Sequence, residues 1–402
     1  MKKPRSVAVI GGAILFVLLL ALCPASAALI PQPTVTPSEP APANVTARQV
    51  SSGPGDKLYP AVSGRYILWY DNDSSSLQLY DMDGESVTQI SGNESVPVRM
   101  PRSFDLFGNQ AVWTGVNLQA GQTDIFLYNI EEGTIRQITD DPALQAWLAV
   151  AQDYIVWTEY ANESDDSGSV YLFDLALDER FQVSLLSDDA EIQTLITVGG
   201  ETLAWSEVNA TSSIIAVYYL DTETWRTLYR TDQERESELV IQSVSSDGQR
   251  IAYMVLQEGE SLLVLFDSAS EEFIEIPGVS GLPEADADEE ALLLFVSIAS
   301  VDGDLLVWAD DRGRSSDIYL YDIGTGAEMP LSTDTAEQAA PDVAGEQVVW
   351  MGNDTGQWEI YLLNASDLQP PPAATPAPTP TPAPAPEPTA PPIRILPRLA
   401  GR

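Results

Sequence analysis

The stretch PAVSGRYILW at residues 60–69, followed after a polar loop by LQLYD at residues 77–81, sets a pattern that returns along the chain. Each copy has a turn, an apolar run that ends in an aromatic residue, a polar loop, and an apolar pair before Asp or Asn. The run-ending residues are Trp69, Trp113, Trp157, Trp205, Tyr253, Trp308 and Trp350, and successive members are 42 to 55 residues apart. A repeat of this length built from short strands is typical of a β-propeller.

Turn residues divide each copy into four strands. In six of the seven copies a glycine lies five residues before the aromatic residue, and in the third copy Gln152 takes its place. Glycine supplies the positive φ that a tight hairpin turn needs. In the first copy the predicted strands are 59–62, 66–70, 77–81 and 86–91. We therefore predict an all-β fold, a seven-bladed β-propeller of four-stranded antiparallel blades.

A strand-like segment precedes the first copy. TARQVS at 46–51 matches SVTQIS at 86–91 and TIRQIT at 134–139, which end the first and second copies. The seventh copy lacks such a segment, because the chain after Asn364 soon reaches a proline-rich region. We expect strand 46–51 to complete the last blade, since closing the ring removes two unpaired strand edges.

The N-terminus has the features of an export signal. A basic start is followed by the apolar run 7–22 and by the small residues Ala25-Ser26-Ala27, which suit cleavage before Ala28. Two alternatives stay open: a lipoprotein at Cys23, although Leu22 is bulky for that signal, and an uncleaved anchor, although the run is shorter than about 20 residues. We expect an extracellular or cell-surface protein. The predicted organisation is signal peptide 1–27, Pro/Thr-rich linker 28–45, propeller 46–368, and Pro/Ala/Thr-rich stalk with basic tail 369–402.

Composition excludes several classes of function. Sixty acidic against nineteen basic residues give a net charge of −41, which argues against a nucleic-acid partner. The chain has no histidine, so Ser-His-Asp triads and histidine metal sites are excluded. Its single cysteine, Cys23, lies in the leader, so the mature chain has neither a disulfide nor a thiol nucleophile. A second apolar segment is absent, and we expect no membrane span in the mature chain.

Acidic residues gather in loops that should share one face of the propeller. Hard cations such as Ca²⁺ bind clusters of carboxylate and carbonyl oxygens, and the candidates here are Asp71, Asp73, Asp310 and Asp311. No complete EF-hand pattern accompanies them, so a solvated acidic surface is the favoured interpretation, and no other cofactor is expected. Seven Asn-x-Ser/Thr sequences are candidate glycan acceptors, at Asn44, Asn72, Asn93, Asn162, Asn209, Asn353 and Asn364.

The repeat resembles a known family. The units within 46–364 are similar to those of TolB-like β-propellers, and in particular to exported, Pro/Thr-linked propeller proteins of archaeal cell surfaces. The clearest unit is the sixth, with VWADDR at 307–312 and DIYLYD at 317–322. The resemblance implies a propeller that binds or scaffolds, and it brings no shared catalytic residues with it.

These observations lead to one expectation and two alternatives. We expect a monomeric, non-enzymatic module, without catalytic residues, that binds a surface protein or glycan through its loop face. The alternatives are an extracellular carbohydrate-active enzyme that uses only carboxylates and a purely structural envelope component. A cleft in the central channel that holds two facing carboxylates would favour the enzyme.

Overall fold

The chain folds into seven sheets arranged as the repeat predicts. The computed structural model describes residues 47–92, 98, 103–117, 121–161, 168–183, 196–209, 212–232, 240–257, 260–276, 279, 299–312, 315–332 and 335–368. All of them belong to one compact unit, 37–402. Within these residues, 28 strands form seven four-stranded antiparallel sheets, which confirms the predicted fold class.

The strands are numbered in chain order, and the four strands of each blade are called A to D from the channel outward. Strand β1 (Arg48–Gln49) belongs to blade 7. Blade 1 has β2 (Lys57–Ser63), β3 (Tyr66–Asp71), β4 (Ser76–Asp81) and β5 (Ser86–Gln89); blade 2 has β6 (Phe104–Phe107), β7 (Gln110–Asn117), β8 (Gln122–Asn129) and β9 (Thr134–Gln137); blade 3 has β10 (Leu144–Ala151), β11 (Tyr154–Tyr160), β12 (Gly168–Asp174) and β13 (Glu179–Gln182); blade 4 has β14 (Ile196–Gly199), β15 (Thr202–Asn209), β16 (Ser212–Tyr219) and β17 (Thr224–Asp232). Blade 5 has β18 (Val240–Ser246), β19 (Arg250–Gln257), β20 (Glu260–Asp267) and β21 (Glu272–Ile276); blade 6 has β22 (Ala299–Asp302), β23 (Leu305–Asp310), β24 (Asp317–Asp322) and β25 (Ala327–Pro330); blade 7 has β26 (Gln338–Ala344), β27 (Gln347–Gly352), β28 (Glu359–Asn364) and the returning β1. A short 3-10 helix, Ala365–Asp367, follows β28.

The seven A strands line the centre of the ring. Each contacts the A strands of the two neighbouring blades, and β26 of blade 7 contacts β2 of blade 1. Each A strand follows the loop from the D strand of the preceding blade, and successive strands are antiparallel. The A–B and C–D turns therefore lie at one end of every blade. We call that end the turn face. The B–C and D–A loops lie at the other end, the loop face.

Ring closure follows the predicted route. Strand β1 pairs antiparallel with β28, with Arg48 opposite Leu362 and Gln49 opposite Tyr361. The Ser51 hydroxyl accepts the backbone N–H of Ile360 at 2.7 Å and donates to the carboxylate of Glu359. The same backbone-to-hydroxyl bond recurs in other blades, from Leu77 to Ser91, from Ile125 to Thr139 and from Ile318 to Ser332. Ser51 thus makes in blade 7 the hydrogen bond that Ser91, Thr139 and Ser332 make in blades 1, 2 and 6.

The repeated tryptophans pack between blades. Trp113 of blade 2 shares an apolar cluster with Leu68 and Leu79 of blade 1, and Trp308 of blade 6 shares one with Leu265 of blade 5. Both indole rings are fully buried. Truncation of a ring buried in this way typically costs about 3–5 kcal/mol. The sequence pattern therefore marks the joints between blades, which explains why it recurs at one register.

An arginine clamp joins some blades near the turn face. In three outer strands an arginine lies over an aromatic ring in strand C of the next blade and pairs with the acid that ends that blade's C–D turn. The aromatic partners are 4.9 to 5.8 Å from the guanidinium carbon. The acids have φ between 46° and 59°, a left-handed conformation that directs them toward the arginine. The three sets are Arg48 with Tyr80 and Glu85, Arg136 with Phe173 and Asp178, and Arg226 with Phe266 and Glu271.

The segments outside the propeller stay predictions. The signal peptide 1–27, the linker 28–45 and the stalk and tail 369–402 lie outside the described residues. Within the part of the chain that the structure describes, no helix has the length and apolar character needed to cross a bilayer.

Candidate active site

Two innermost strands bring carboxylates to the channel. Asp105 in β6 and Asp342 in β26 each lie three residues before the glycine of their A–B turn. The corresponding residues in the other blades are uncharged: Ala61, Ala149, Thr197, Ser245 and Ser300. Blades 2 and 7 flank blade 1, so the two carboxylates stand on either side of the small side chain of Ala61.

A cavity lies between these three blades. Its volume is about 150 Å³, and its walls are Tyr59, Pro60, Ala61, Phe104, Asp105, Ala340 and Asp342. Ligand pockets for larger molecules are typically about 300–1,000 Å³, so this one suits a single small unit. Its lining residues include both aspartates and two aromatic residues, Tyr59 and Phe104. The cavity thus combines two acid groups with two aromatic surfaces.

Two β-bulges shape the cavity walls. Pairing shifts between Leu58 and Ala61 in blade 1 and between Ala339 and Asp342 in blade 7. Within these bulges Tyr59 has φ 56° and Ala340 has φ 49°, which residues with a side chain seldom adopt. Bulges re-aim the side chains beside them and are common next to active sites. Blade 3 carries a similar bulge at Trp147, away from the cavity, so the bulge alone does not define the site.

Each aspartate is held in one orientation by hydrogen bonds to its surroundings. The Asp105 carboxylate accepts the backbone N–H groups of Leu106 and of Val150 in blade 3, both at 2.8 Å. The Asp342 carboxylate accepts the N–H of Val62 in blade 1 and the hydroxyl of Ser300 in blade 6, both at 2.7 Å. Bonds of this kind latch neighbouring A strands together, and they also fix the carboxyl groups at the cavity wall.

The surroundings of both aspartates raise their pKa values and so favour the protonated, uncharged carboxyl group. Removal from bulk water raises the pKa of Asp105 to about 7, its two N–H donors oppose the shift, and the charge of Asp342 adds to it. Removal from water likewise raises the pKa of Asp342 to about 6, against its hydrogen bonds from Val62 and Ser300. Both pKa values therefore lie near neutral pH, where a carboxyl group can hold or release a proton. Such a pair can supply both a general acid and a general base.

The structure does not bring the four calcium candidates together. Asp71 ends β3 in blade 1 and Asp310 ends β23 in blade 6, so blade 7 separates them. Asp71 accepts the N–H of Ser74 and lies 3.7 Å from the Lys57 ammonium.

Both carboxylate oxygens of Asp310 accept hydrogen bonds from neighbouring groups. Its carboxylate accepts the indole N–H of Trp308 at 3.1 Å and both the backbone N–H and the guanidinium of Arg312. Asp73 is exposed in the loop after Asp71, and Asp311 directly follows Asp310. No group of three or more carboxylates or thiols suited to a metal occurs among the described residues. A solvated acidic surface, with these four aspartates as calcium candidates, stays the prediction.

The candidate glycan acceptors occupy different environments. Asn72 is exposed, Asn353 accepts the N–H of Glu337, and Asn364 caps the 3-10 helix through the N–H of Ser366. Asn209 ends β15. Asn44, Asn93 and Asn162 lie outside the described residues. Glycosylation at these positions remains a prediction.

Sequence reasoning did not single out Asp105 or Asp342. The signal was present in FDLFG at 104–108 and PDVAG at 341–345, where an aspartate occupies a channel position that other blades fill with small residues. An alignment of the seven copies by their turn glycines would have separated these two acids from the many on the surface.

Comparison with known proteins identifies relatives only at the level of the fold. No family model and no curated protein matches the sequence. A puromycin hydrolase mutant superposes with a TM-score of 0.58 at 13% identity, over 82% of this chain and 56% of that one. An oligogalacturonate lyase from Vibrio parahaemolyticus gives 0.55 at 10% identity, over 81% of this chain and 96% of that one. The propeller domain of the Trilobed protease from Pyrococcus furiosus gives 0.52 at 13% identity, over 77% and 95%.

These likenesses differ in extent and in closure. The chain spans little more than half the length of the puromycin hydrolase, whereas it matches nearly the whole lyase. The Pyrococcus furiosus domain is described as having an open velcro topology, whereas β1 pairs with β28 here.

The comparisons correct one expectation. The solved structures that match this fold include a puromycin hydrolase, peptidases, oligogalacturonate lyases and the propeller domain of a protease. The interpretation as a non-enzymatic binding or scaffolding module is therefore wrong. At 10–13% identity the comparisons show the fold alone, so the chemistry has to be argued from this chain's own residues.

Proposed function

We propose that this chain is an extracellular carbohydrate-active enzyme whose acid and base are the carboxyl groups of Asp105 and Asp342. The observation that carries the proposal is their convergence on one cavity, with pKa values raised to about 7 and about 6. The leader and the resemblance to exported, TolB-like propellers of archaeal surfaces support an extracellular site of action. Absence of histidine from the sequence leaves carboxylates as the natural acid–base groups.

The reaction class that suits this pair is hydrolysis of a glycosidic bond. Asp105, the more basic carboxyl group, donates its proton to the leaving oxygen as the bond from the anomeric carbon to that oxygen breaks. Asp342, in its ionised form, takes a proton from the water that attacks the anomeric carbon. A proton has then moved from Asp105 to the leaving group, and one from water to Asp342. The rings of Tyr59 and Phe104 offer apolar surfaces against which a sugar ring packs.

Cavity size and charge narrow the substrate class. A volume of about 150 Å³ accommodates one sugar unit, which favours release of a terminal residue over cleavage within a long chain. The net charge of −41 repels anionic ligands, so a neutral sugar fits better than a uronate. The oligogalacturonate lyase, which this fold matches over 96% of its length, supports a self-contained carbohydrate enzyme on this architecture.

The test is an activity screen of the exported chain, residues 28–402, with chromogenic glycosides of neutral sugars and with oligosaccharides analysed for released monosaccharide. We expect Asp105→Asn and Asp342→Asn each to lower kcat/KM by about 10²–10⁴-fold. The matched control is Asp247→Asn, because Asp247 in the A–B turn of blade 5 accepts the N–H of Gly303 in the A–B turn of blade 6 but does not line the cavity. This control should retain activity.

Two outcomes would overturn the proposal. One is the absence of hydrolysis across the glycoside panel with a folded protein. The other is hydrolysis that both cavity variants retain at the wild-type rate. Far-ultraviolet circular dichroism of each variant distinguishes a loss of chemistry from a loss of fold.

A further inference from the structure

Large apolar side chains are exposed at the turn-face ends of blades 1 to 4. Among the described residues, the five with the greatest exposure of this kind are 40% to 69% exposed. Each lies in a turn of that face, at the end of an A strand or at the start of a D strand, and all belong to blades 1 to 4. They are Val87, Phe107, Ile135, Leu177 and Trp225. Trp225 is the most exposed, although the tryptophans that end the B strands are buried.

The turn-face ends of the same four blades also carry acidic side chains. The C–D turns of blades 1 to 4 carry eight exposed acids, two from each blade. They are Asp83, Glu85, Glu131, Glu132, Asp178, Glu179, Asp221 and Glu223. Asp83, Glu85 and Asp178 already pair with Arg65, Arg48 and Arg136, so the negative charge available to a ligand lies on the other five. A surface that mixes exposed apolar groups with anionic groups complements a ligand that is both apolar and cationic.

One segment of the chain itself has that chemistry. Residues 393–402, with the sequence IRILPRLAGR, contain Arg394, Arg398 and Arg402, four large aliphatic residues and no acid. We propose that segment 393–402 docks on the turn face of blades 1 to 4, with its aliphatic side chains against the exposed apolar residues and its arginines against the acids of the C–D turns. This inference concerns a different face from the cavity and does not depend on the proposed enzymatic function.

The path of the chain makes the contact accessible. Strand β28 is the C strand of blade 7, so it ends at the turn face, and the described chain leaves the propeller there at Leu368. Residues 369–392, rich in Pro, Ala and Thr, connect this point to the segment. A proline-rich chain of 24 residues, if extended at about 3.1 Å per residue, reaches roughly 70 Å, which is ample to cross the face. A tether of this kind gives a local concentration on the order of millimolar.

The test compares the exported chain 28–402 with a truncation that ends at residue 392. Trp225 is the reporter, because docking shields its ring from a neutral quencher such as acrylamide. We expect acrylamide to quench the fluorescence of Trp225 about twofold more strongly in the truncated chain than in the full chain. A synthetic peptide of residues 393–402 should reverse this increase in a saturable, salt-sensitive way. Trp225→Phe should abolish the difference. The matched control Trp358→Phe should preserve it, because Trp358 lies between blades 7 and 1.

Charge reversal tests the electrostatic part. Replacement of Arg394, Arg398 and Arg402 by Glu in the full chain should reproduce the quenching of the truncation, whereas replacement by Lys should leave the wild-type value. Three results would overturn the proposal. They are equal quenching of the full and truncated chains, shielding that depends on protein concentration and accompanies dimers, and shielding that appears only with anionic vesicles.

Discussion

The guanidinium carbon of Arg136 lies 5.4 Å from the centre of the Phe173 ring in the next blade. The same guanidinium pairs with Asp178, which ends the C–D turn of that blade. Because the geometry recurs at Arg48 and Arg226, it is a device of the repeat and not an isolated surface ion pair. It joins blade 7 to 1, blade 2 to 3 and blade 4 to 5.

Removal of one clamp should have a modest, measurable effect. We expect Arg136→Ala to lower the free energy of unfolding by about 0.5–1.5 kcal/mol, because an exposed ion pair and an exposed cation–π contact each contribute only a fraction of that range. Urea unfolding followed by circular dichroism measures the change. Thr88→Ala is the matched control, since Thr88 occupies the corresponding place in β5 without an arginine. An equal loss in both variants would show that the clamp contributes nothing specific.

Ring closure should contribute more than the clamp does. Ser51→Ala leaves the buried N–H of Ile360 and the carboxylate of Glu359 without the hydroxyl, so we expect a loss of about 1–3 kcal/mol in urea unfolding. Deletion of 44–52 should destabilise the domain far more than deletion of 370–402, because only the first removes a strand from a blade. Equal melting temperatures for the two deletions would contradict this.

Stability should fall as pH rises from about 4 to 7. Asp105 and Asp342 have folded-state pKa values of about 7 and about 6, above the value near 3.9 of an unfolded aspartate. The folded state therefore keeps protons that the unfolded state has released, and this stabilisation is lost as pH passes the folded values. We expect the free energy of unfolding to be lower at pH 8 than at pH 5, by on the order of 2–4 kcal/mol.

The pH effect has its own control. Asp247, Glu207 and Glu328 also have raised pKa values through burial and act in the same direction, whereas the pKa of Asp267 is lowered. Replacement of Asp105 and Asp342 by Asn should reduce the slope in urea unfolding at constant ionic strength. An unchanged slope would mean that neither carboxyl group is shifted as described.

Cations should act on this protein mainly through ionic strength. The excess of acidic side chains, which gives a net charge of −41, causes mutual repulsion at low salt. At 0.1 M salt the Debye length is about 10 Å, and this screening weakens the repulsion. We expect the melting temperature to rise from very low to moderate NaCl, and Ca²⁺ to add nothing beyond its ionic strength. A saturable response to Ca²⁺ that disappears when Asp310 and Asp311 become Asn would contradict this and establish a site.

The sequence repeat predicts most of the fold but little of the candidate active site. The turn glycines and the tryptophans that end the B strands set seven units, and the likeness of 46–51 to the outer strands predicted closure. Asp105 and Asp342 were hidden because an aspartate in a strand resembles the many surface acids. Their significance depends on strands from blades 7, 1 and 2, which are distant in sequence, and on bulges at Tyr59 and Ala340 that no turn residue announces.

The arginine clamp was missed for a related reason. TARQ at 46–49 and TIRQ at 134–137 predict outer strands, and this pattern assigns no role to the arginine. Its partners, such as Asp178, lie in the next repeat and adopt a left-handed conformation that the sequence does not reveal. Contacts between repeats are therefore harder to predict than the repeats themselves.

Closure by β1 also sets an order of events during synthesis. The strand is made first, yet its partner β28 is made last, and the bond from Ile360 to Ser51 spans 309 residues. Until the ribosome has completed residue 364, β1 has no partner strand. The first six blades then form a ring that is still open. A chain exported in the unfolded state avoids this interval, because both ends reach the far side before the ring needs to close. The seam thus lets the ring close only after the last blade of the propeller has been made.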